Sequence, residues 1–319
     1  MLPKDKIKKY QGSTIQHGPY NDRIYLMRLA DHASADFPRQ LISLAETKGY
    51  AKIFAKVPKD ASADFMQAGF EKEAEIPGFF SGQTNALFLG YYLNNARKQE
   101  DDVARLENIL HIAEDKQKTA VPPPDSRFRL RQCLEGDVSE MAAIYDQTFA
   151  SYPFPIHEPA YLLETMQTHV AYFGAEIDGK LAALASAEMD REAANVEMTD
   201  FATLPEQAGN NLSLHLLHRM EKAMLEQNIS TAYTIARAAS PAMNITFARA
   251  GYIFAGRLKN NTNISGSIES MNVWYKPLVN WKTVAETINN IIKITKFFRG
   301  RINNQSVHSF EKNNNYFQQ

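Results

Sequence analysis

The chain has 319 residues, 44% of them hydrophobic, and 35 Lys and Arg against 36 Asp and Glu give a formal net charge of −1. That length supports two domains with a substantial core. The balanced charge offers no electrostatic footprint for nucleic acid or an anionic membrane surface. A single cysteine, Cys133, excludes an intrachain disulfide framework and a multi-cysteine zinc site, and fits a reducing cytoplasm. The lysine-rich start Met1–Lys9 has no apolar segment behind it, so no signal peptide is expected. No apolar run reaches the roughly 18 residues that a membrane-spanning helix needs. The expectation is a soluble cytoplasmic protein.

In chain order, residues 1–22 are polar and read as loop, and Arg23–Arg28 as a short strand. Phe37, Leu41, Ile42, Leu44 and Ala45 form a helical face from Asp36 to a stop near Gly49. Ala51–Val57 reads as a strand, Ala61–Ala68 as a helix stopping at Gly69, and Ala86–Leu93 as another strand. Val103, Leu106, Ile109, Leu110 and Ala113 fall on one face of a charged helix within 96–118, which is expected to pack across the boundary between two halves. Ala120–Ser126, with Pro122-Pro123-Pro124, is the clearest linker.

The second half opens with a strand at Arg127–Gln132 and a helix over Glu135–Tyr145, with Asp137 as a candidate N-cap. Ser151–Ile156 is an aromatic loop stiffened by proline. Asp178-Gly179 between Tyr172–Ile177 and Leu181–Met189 is a strong hairpin signal. The strand Val196–Ala202 runs into the loop Leu204–Ser213 and a long amphipathic helix. Tyr233–Arg237 suits a buried strand, Ser240-Pro241 starts a helix that ends at Gly251, and the strands Tyr252–Leu258 and Ser270–Tyr275 flank a polar loop Lys259–Ser267. Val284, Ile288, Ile291 and Ile292 give a basic amphipathic helix over 283–299, and 303–319 is Asn/Gln-rich.

Two features carry chemistry, and a third marks an internal repeat. The loop from Pro205 to Ser213 precedes a helix N-terminus, where free backbone N–H groups and the helix dipole suit an anion. Glu197 and Asp200 lie on the strand before it, three positions apart and so expected on opposite faces. A carboxylate there can take a proton from an ammonium, bind a cationic substrate, or serve as an ion-paired surface group. The segment Phe65-Met-Gln-Ala-Gly69-Phe70 matches Phe247-Ala-Arg-Ala-Gly251-Tyr252, which suggests that residues 23–93 form a partial copy of the second half. Histidines offer no third ligand at metal-binding spacing, so no metal is expected.

The strand–helix–strand–loop–strand order of Tyr233–Lys276 resembles the second half of a GNAT-fold acyltransferase. That resemblance implies an α/β (α+β) fold, a mixed and mostly antiparallel sheet flanked by helices, preceded here by a partial GNAT-like N-terminal half. The domains expected are 1–95, a scaffold; 96–126, helix and linker; 127–280, the acetyltransferase; and 281–319, helix and tail. The resemblance implies acetyl-CoA as acyl donor. Gly209, Asn210, Asn211, Leu212 and Ser213 would hold its pyrophosphate, Asn244 and Phe247 would lie along its arm, and the N–H groups of Phe201, Ala202 and Thr203 would face the reacting carbonyl. The loop lacks the leading Arg or Gln usual in the family, and Phe247 stands where a tyrosine often protonates the thiolate. Tyr252 and Tyr233 are candidate substitutes, with core packing as their alternative use.

SYPFPI (151–156), NITFARAGY (244–252), NNTNISGSIESMNVWYK (260–276) and IPGFF (76–80) together resemble the β-lysine N-acetyltransferase family. This implies acetyl transfer to the side-chain amine of L-β-lysine, giving Nε-acetyl-β-lysine, a compatible solute used in osmoadaptation. The catalytic candidates are then Glu197, Asp200 and Tyr252; Tyr152, Phe154, Asn260, Asn261, Asn263, Glu269 and Asn272 are candidates for holding substrate. The partner expected is a small-molecule amine, with no nucleic acid and no integral membrane segment; a homodimer is compatible with it. Alternatives are another small amine or a protein lysine as acceptor, a non-catalytic module that senses CoA or a metabolite, and a docking protein using the helix 283–299.

Overall fold

The structure is a computed structural model and describes residues 3–279, residue 118 excepted. The expected helix over 283–299 and the tail lie outside the described residues. The first half runs β1 (Lys6–Tyr10), β2 (Ser13–Gly18), β3 (Arg23–Arg28), α1 (Phe37–Lys48), β4 (Lys52–Pro58), α2 (Ser62–Gln67), β5 (Glu71–Phe80) and β6 (Thr84–Tyr92). After α3 (Val103–Lys116), the second half runs β7 (Arg129–Gln132), α4 (Val138–Thr148), α5 (Pro159–Met166), β8 (Val170–Ile177), β9 (Lys180–Asp190) and β10 (Asn195–Thr203). It continues with α6 (Leu212–Glu226), β11 (Thr231–Arg237), α7 (Pro241–Arg249), β12 (Ile253–Ile264) and β13 (Ser267–Pro277).

The strands form one 13-stranded sheet in the order β1-β2-β3-β4-β6-β5-β12-β13-β11-β10-β9-β8-β7. Two parallel steps, β3 to β4 and β10 to β11, are each crossed by a helix, α1 and α6. After each comes a second helix and a hairpin whose outgoing strand inserts next to the parallel pair. The two halves therefore repeat one topology. The repeat extends to hydrogen bonds: Phe70 N–H reaches the Phe65 carbonyl and Tyr252 N–H the Phe247 carbonyl, both at 3.0 Å. Each pair of rings meets edge to face, at 5.2 and 5.1 Å.

Residues 1–22, expected as loop, hold the β1–β2 hairpin. Its lysine-rich outer strand is a polar sheet edge, which hides the strand period and blocks pairing with another chain. Gln11 and Gly12, with φ of 48° and 79°, make its turn. The polar stretch Lys259–Ser267 is also not a loop up to its end: β12 continues to Ile264 and turns only at Ser265-Gly266. Its polar side chains satisfy the other half. Asn260 Nδ2 donates to the carbonyls of Arg97 and Gln99, and Asn263 Nδ2 donates to the Tyr20 carbonyl.

The halves join where β5 and β12 pair antiparallel at Ala74 and Gly256. An apolar cluster including Phe54, Phe79, Phe88, Tyr233, Leu258 and Val273 fills this seam. Beside it the buried Lys52 ammonium, 2.9 Å from Glu73, also donates to the Lys259 carbonyl. Burial lowers the Lys52 pKa to about 8 despite that partner. Among the described residues, no helix is long and apolar enough to cross a membrane.

Candidate active site

Strands β10 and β11 are parallel neighbours only at Asn195–Thr231, Val196–Ala232 and Glu197–Tyr233. Beyond Glu197, β10 runs on to Thr203 without that partner, so the edge facing β11 opens into a notch. The notch belongs to a cleft of about 380 Å³. β10 also changes register against β9 between Thr199 and Ala202, with Asp200 at φ 54°. This bulge overturns the expectation that Glu197 and Asp200 lie on opposite faces, because the extra residue shifts the side-chain alternation and both line the cleft.

Three carboxylates meet there. Glu188 on β9 stands directly across from half-buried Glu197. Asp200 is buried and accepts hydrogen bonds from Ser186 Oγ at 2.6 Å and from the Tyr152 hydroxyl. Desolvation in the cleft raises the pKa of all three. Glu188 is pushed furthest, well above the usual range, because the ionised Glu197 and Asp200 add repulsion. Lys56 of β4 donates to the Tyr233 hydroxyl at 3.3 Å and draws Glu197 back toward ionisation; desolvation lowers the pKa of Lys56 itself. Tyr152 and Phe154, candidates from the aromatic loop, line the cleft as well.

Several candidates are elsewhere. Asn244 is fully buried and locked: Nδ2 donates to the Arg237 and Ser240 carbonyls, while Oδ1 accepts from Asn272 Nδ2 and Trp274 Nε1. It has no capacity left for a cofactor, and Asn272, whose Oδ1 accepts from Arg257, is fully buried and does not line the cleft. Asn260 and Asn263 bind the first half, as described. Glu269 is held bidentately by Arg237 at 2.7 and 2.9 Å, which neutralises it. Tyr252 is fully buried in the core that α6 and α7 cover, its hydroxyl directed at Glu221, and it does not line the cleft where a thiolate would leave.

The loop before α6 is exposed, with Gly209 and Asn211 at φ 86° and 54° and Asn210 Nδ2 bonded to the Gln207 carbonyl. Arg249 Nη1 donates to Asn211 Oδ1 at 3.0 Å and brings a positive charge to that turn. Leu212, its side chain buried, and Ser213 open α6, where first-turn backbone N–H groups have no acceptor within the helix. Phe201 meets Phe247 edge to face at 5.5 Å, both lining the cleft, while Ala202 is buried and Thr203 ends the strand. Among the described residues, no cluster of three or more His, Cys, Asp or Glu is arranged to hold a metal ion.

Sequence reasoning missed Glu188 and the entire wall contributed by the first half, including Gln16, Arg23, Tyr25 and Lys56. Glu188 was reachable by counting back across the Arg191–Ala194 turn from Glu197. The first-half residues carry no signal in one sequence, because only the joining of the halves brings them to the notch.

The profile of the Acetyltransferase (GNAT) family matches residues 140–252, a span containing the splayed strands and the loop before α6. The chain is an N-acetyltransferase of that class, which takes its acyl group from acetyl-CoA. It is 38% identical over 272 residues to the beta-lysine N(6)-acetyltransferase of Methanococcus maripaludis, covering 85% of this chain and 98% of the relative. It is 31% identical over 258 residues to the enzyme of that name from Methanosarcina mazei, covering 75% and 95%. It is 28% identical over 270 residues to N-acetyltransferase YodP of Bacillus subtilis, covering 83% and 96%. The chain belongs to the β-lysine N(6)-acetyltransferase family.

Proposed function

We propose that this protein transfers the acetyl group of acetyl-CoA to the side-chain amine of β-lysine. The observation that carries the reading is the carboxylate group Glu188, Glu197 and Asp200 at the mouth of the splayed strands, since a dicationic substrate needs anions where its amine reacts. Glu197 sits at the fork and is the proton acceptor. Asp200, steadied by Ser186 and Tyr152, contributes charge without moving.

In this mechanism the substrate ammonium, with an ordinary pKa of about 10.4, gives its proton to Glu197. The freed lone pair attacks the thioester carbonyl, and the oxyanion is met by N–H groups of Phe201–Thr203 on the unpaired edge of β10. Collapse forms the amide, breaks the C–S bond and expels CoA thiolate; the second amine proton leaves to solvent or a cleft carboxylate. A thiol of pKa about 8.5 leaves as thiolate near neutral pH, so the position of Phe247 does not block the step. The pyrophosphate of CoA rests on the Gly209–Ser213 turn beside Arg249.

The product keeps one ammonium and one carboxylate and has net charge zero, which supports the reading of it as a compatible solute made in the cytoplasm for osmoadaptation. The test is an assay with acetyl-CoA, β-lysine, lysine and a polyamine, followed by identification of the acetylated nitrogen. Preference for β-lysine at its terminal amine is expected; no turnover, or transfer to the other amine, would sink the reading.

A further inference from the structure

Three polar atoms on the cleft wall have no partner among the described residues: Gln16 Nε2, Arg23 Nε and Asn261 Oδ1. Their residues line the cleft and are only 2%, 5% and 1% exposed. Gln16 pairs with Tyr25 across β2 and β3, and Arg23 lies two residues from Tyr25, so Gln16 and Arg23 emerge on one face. Asn261 comes from β12, beside them: Arg23 Nη1 donates to its carbonyl and, at 3.1 Å, to Thr262 Oγ1.

Arg23 is fixed in place, yet no carboxylate among the described residues forms an ion pair with it, Asp5 and Glu73 acting only from a distance. Its guanidinium lies 5.5 and 5.6 Å over the rings of Tyr25 and Phe54. Both protein bonds are on Nη1, so the Nε–Nη2 edge, the fork that suits a carboxylate, has no acceptor among the described residues. The other arginines of the cleft are paired, Arg28 with Glu192 and Arg237 with Glu269. Burial lowers the Arg23 pKa to about 10, which leaves it cationic at neutral pH. A buried cation without a counter-charge is unfavourable until a ligand supplies one.

The unpartnered set is two donors and one acceptor. A fully ionised phosphate group would answer the donors but offer no donor to Asn261 Oδ1, whereas an amino acid brings a carboxylate and a nearby ammonium together. We propose that Gln16 and Arg23 bind the substrate carboxylate and Asn261 the adjacent ammonium, so that the first half of the chain selects amino-acid amines and aims the far amine at Glu197. The proposal rests on reading the cleft as the site of amine acetylation.

The test compares β-lysine with pentane-1,4-diamine, which is β-lysine without its carboxylate, in the full-length wild type, Arg23→Met and Gln16→Leu. The kcat/KM ratio of β-lysine to the diamine is expected to fall about 10–100-fold in Arg23→Met and about 3–10-fold in Gln16→Leu, the range for a charged and a neutral hydrogen bond. An unchanged ratio in folded variants overturns the proposal, and if Arg23→Met does not fold, Gln16→Leu decides alone. If the wild type acetylates neither amine, the acetylation reading fails on its own account. Calorimetric titration of β-lysine into wild type and Gln16→Leu then still decides the clamp: weaker binding by the variant supports it and equal binding refutes it.

Discussion

Glu188 and Glu197 face each other across β9 and β10, at the last position where β10 still pairs with β11. Two carboxylates so placed do not ionise together easily. Glu197, with Lys56 nearby, loses its proton first, and Glu188 keeps its own to a higher pH. The acid limb of kcat/KM is therefore expected above the ordinary carboxylate range, near pH 4, with activity rising as Glu197 ionises. Glu188→Gln mimics the protonated neighbour and should leave that limb in place.

Stability gives the same pair a second readout. A carboxyl whose folded pKa is raised contributes fully below its unfolded pKa, and that contribution is lost as pH rises through the folded value. Wild-type Tm should decline across the range where Glu188 titrates, and Glu188→Gln should remove that part of the decline. Parallel Tm–pH curves for the two proteins would show that Glu188 is not held protonated.

Glu197→Gln tests the base directly. A positioned general base contributes typically 10²–10⁴-fold, so kcat should fall by about that much, with little change in KM for acetyl-CoA. The loss should shrink as pH climbs toward the amine pKa, where substrate arrives already deprotonated. Unaltered kcat at neutral pH removes Glu197 from the mechanism.

Asn244→Ala separates a structural lock from a cofactor contact. The change strands the buried Trp274 Nε1 and Asn272 Nδ2 donors, at about 1–3 kcal/mol for each unsatisfied group. Denaturant unfolding should show that loss, while KM for acetyl-CoA in the folded fraction stays near the wild-type value. A raised KM with unchanged stability would return Asn244 to the cofactor site.

What was legible in the chain was local. The Asp178-Gly179 turn, with φ of 51° and 77°, and the helix stops at Gly49 and Gly251 follow from residue chemistry within a few positions. The matching Phe65–Phe70 and Phe247–Tyr252 motifs disclosed the repeat for the same reason. Glu197, Asp200, Tyr152 and Phe154 line one cleft because strand and loop carry them to one place. The side of Asp200 is not legible, because the bulge between Thr199 and Ala202 leaves no trace in the residue pattern. Asn244, Asn260, Asn263 and Asn272 looked available because a polar side chain in sequence gives no sign of its distant partner. Arg23 and Lys56 are not legible as cleft residues, since their place there depends on β5 meeting β12.

That meeting depends on Gly256. At φ 145°, it stands where an added Cβ would fall 2.1 Å from the Glu73 carbonyl oxygen and 2.7 Å from Ala74 Cα, both backbone atoms. Gly251, at φ 84°, has open space around the same position. Gly251→Ala should then cost only the left-handed penalty, roughly 1–2 kcal/mol. Gly256→Ala adds overpacking at the seam and should cost roughly 2–5 kcal/mol. Because β12 also carries Asn261 and Thr262, which hold Arg23, the forced shift should raise KM for β-lysine more than KM for acetyl-CoA. Urea unfolding and steady-state kinetics on the two variants decide it: equal losses at both glycines would mean that the halves tolerate separation at β5 and β12, and that the first-half wall is not held by this contact.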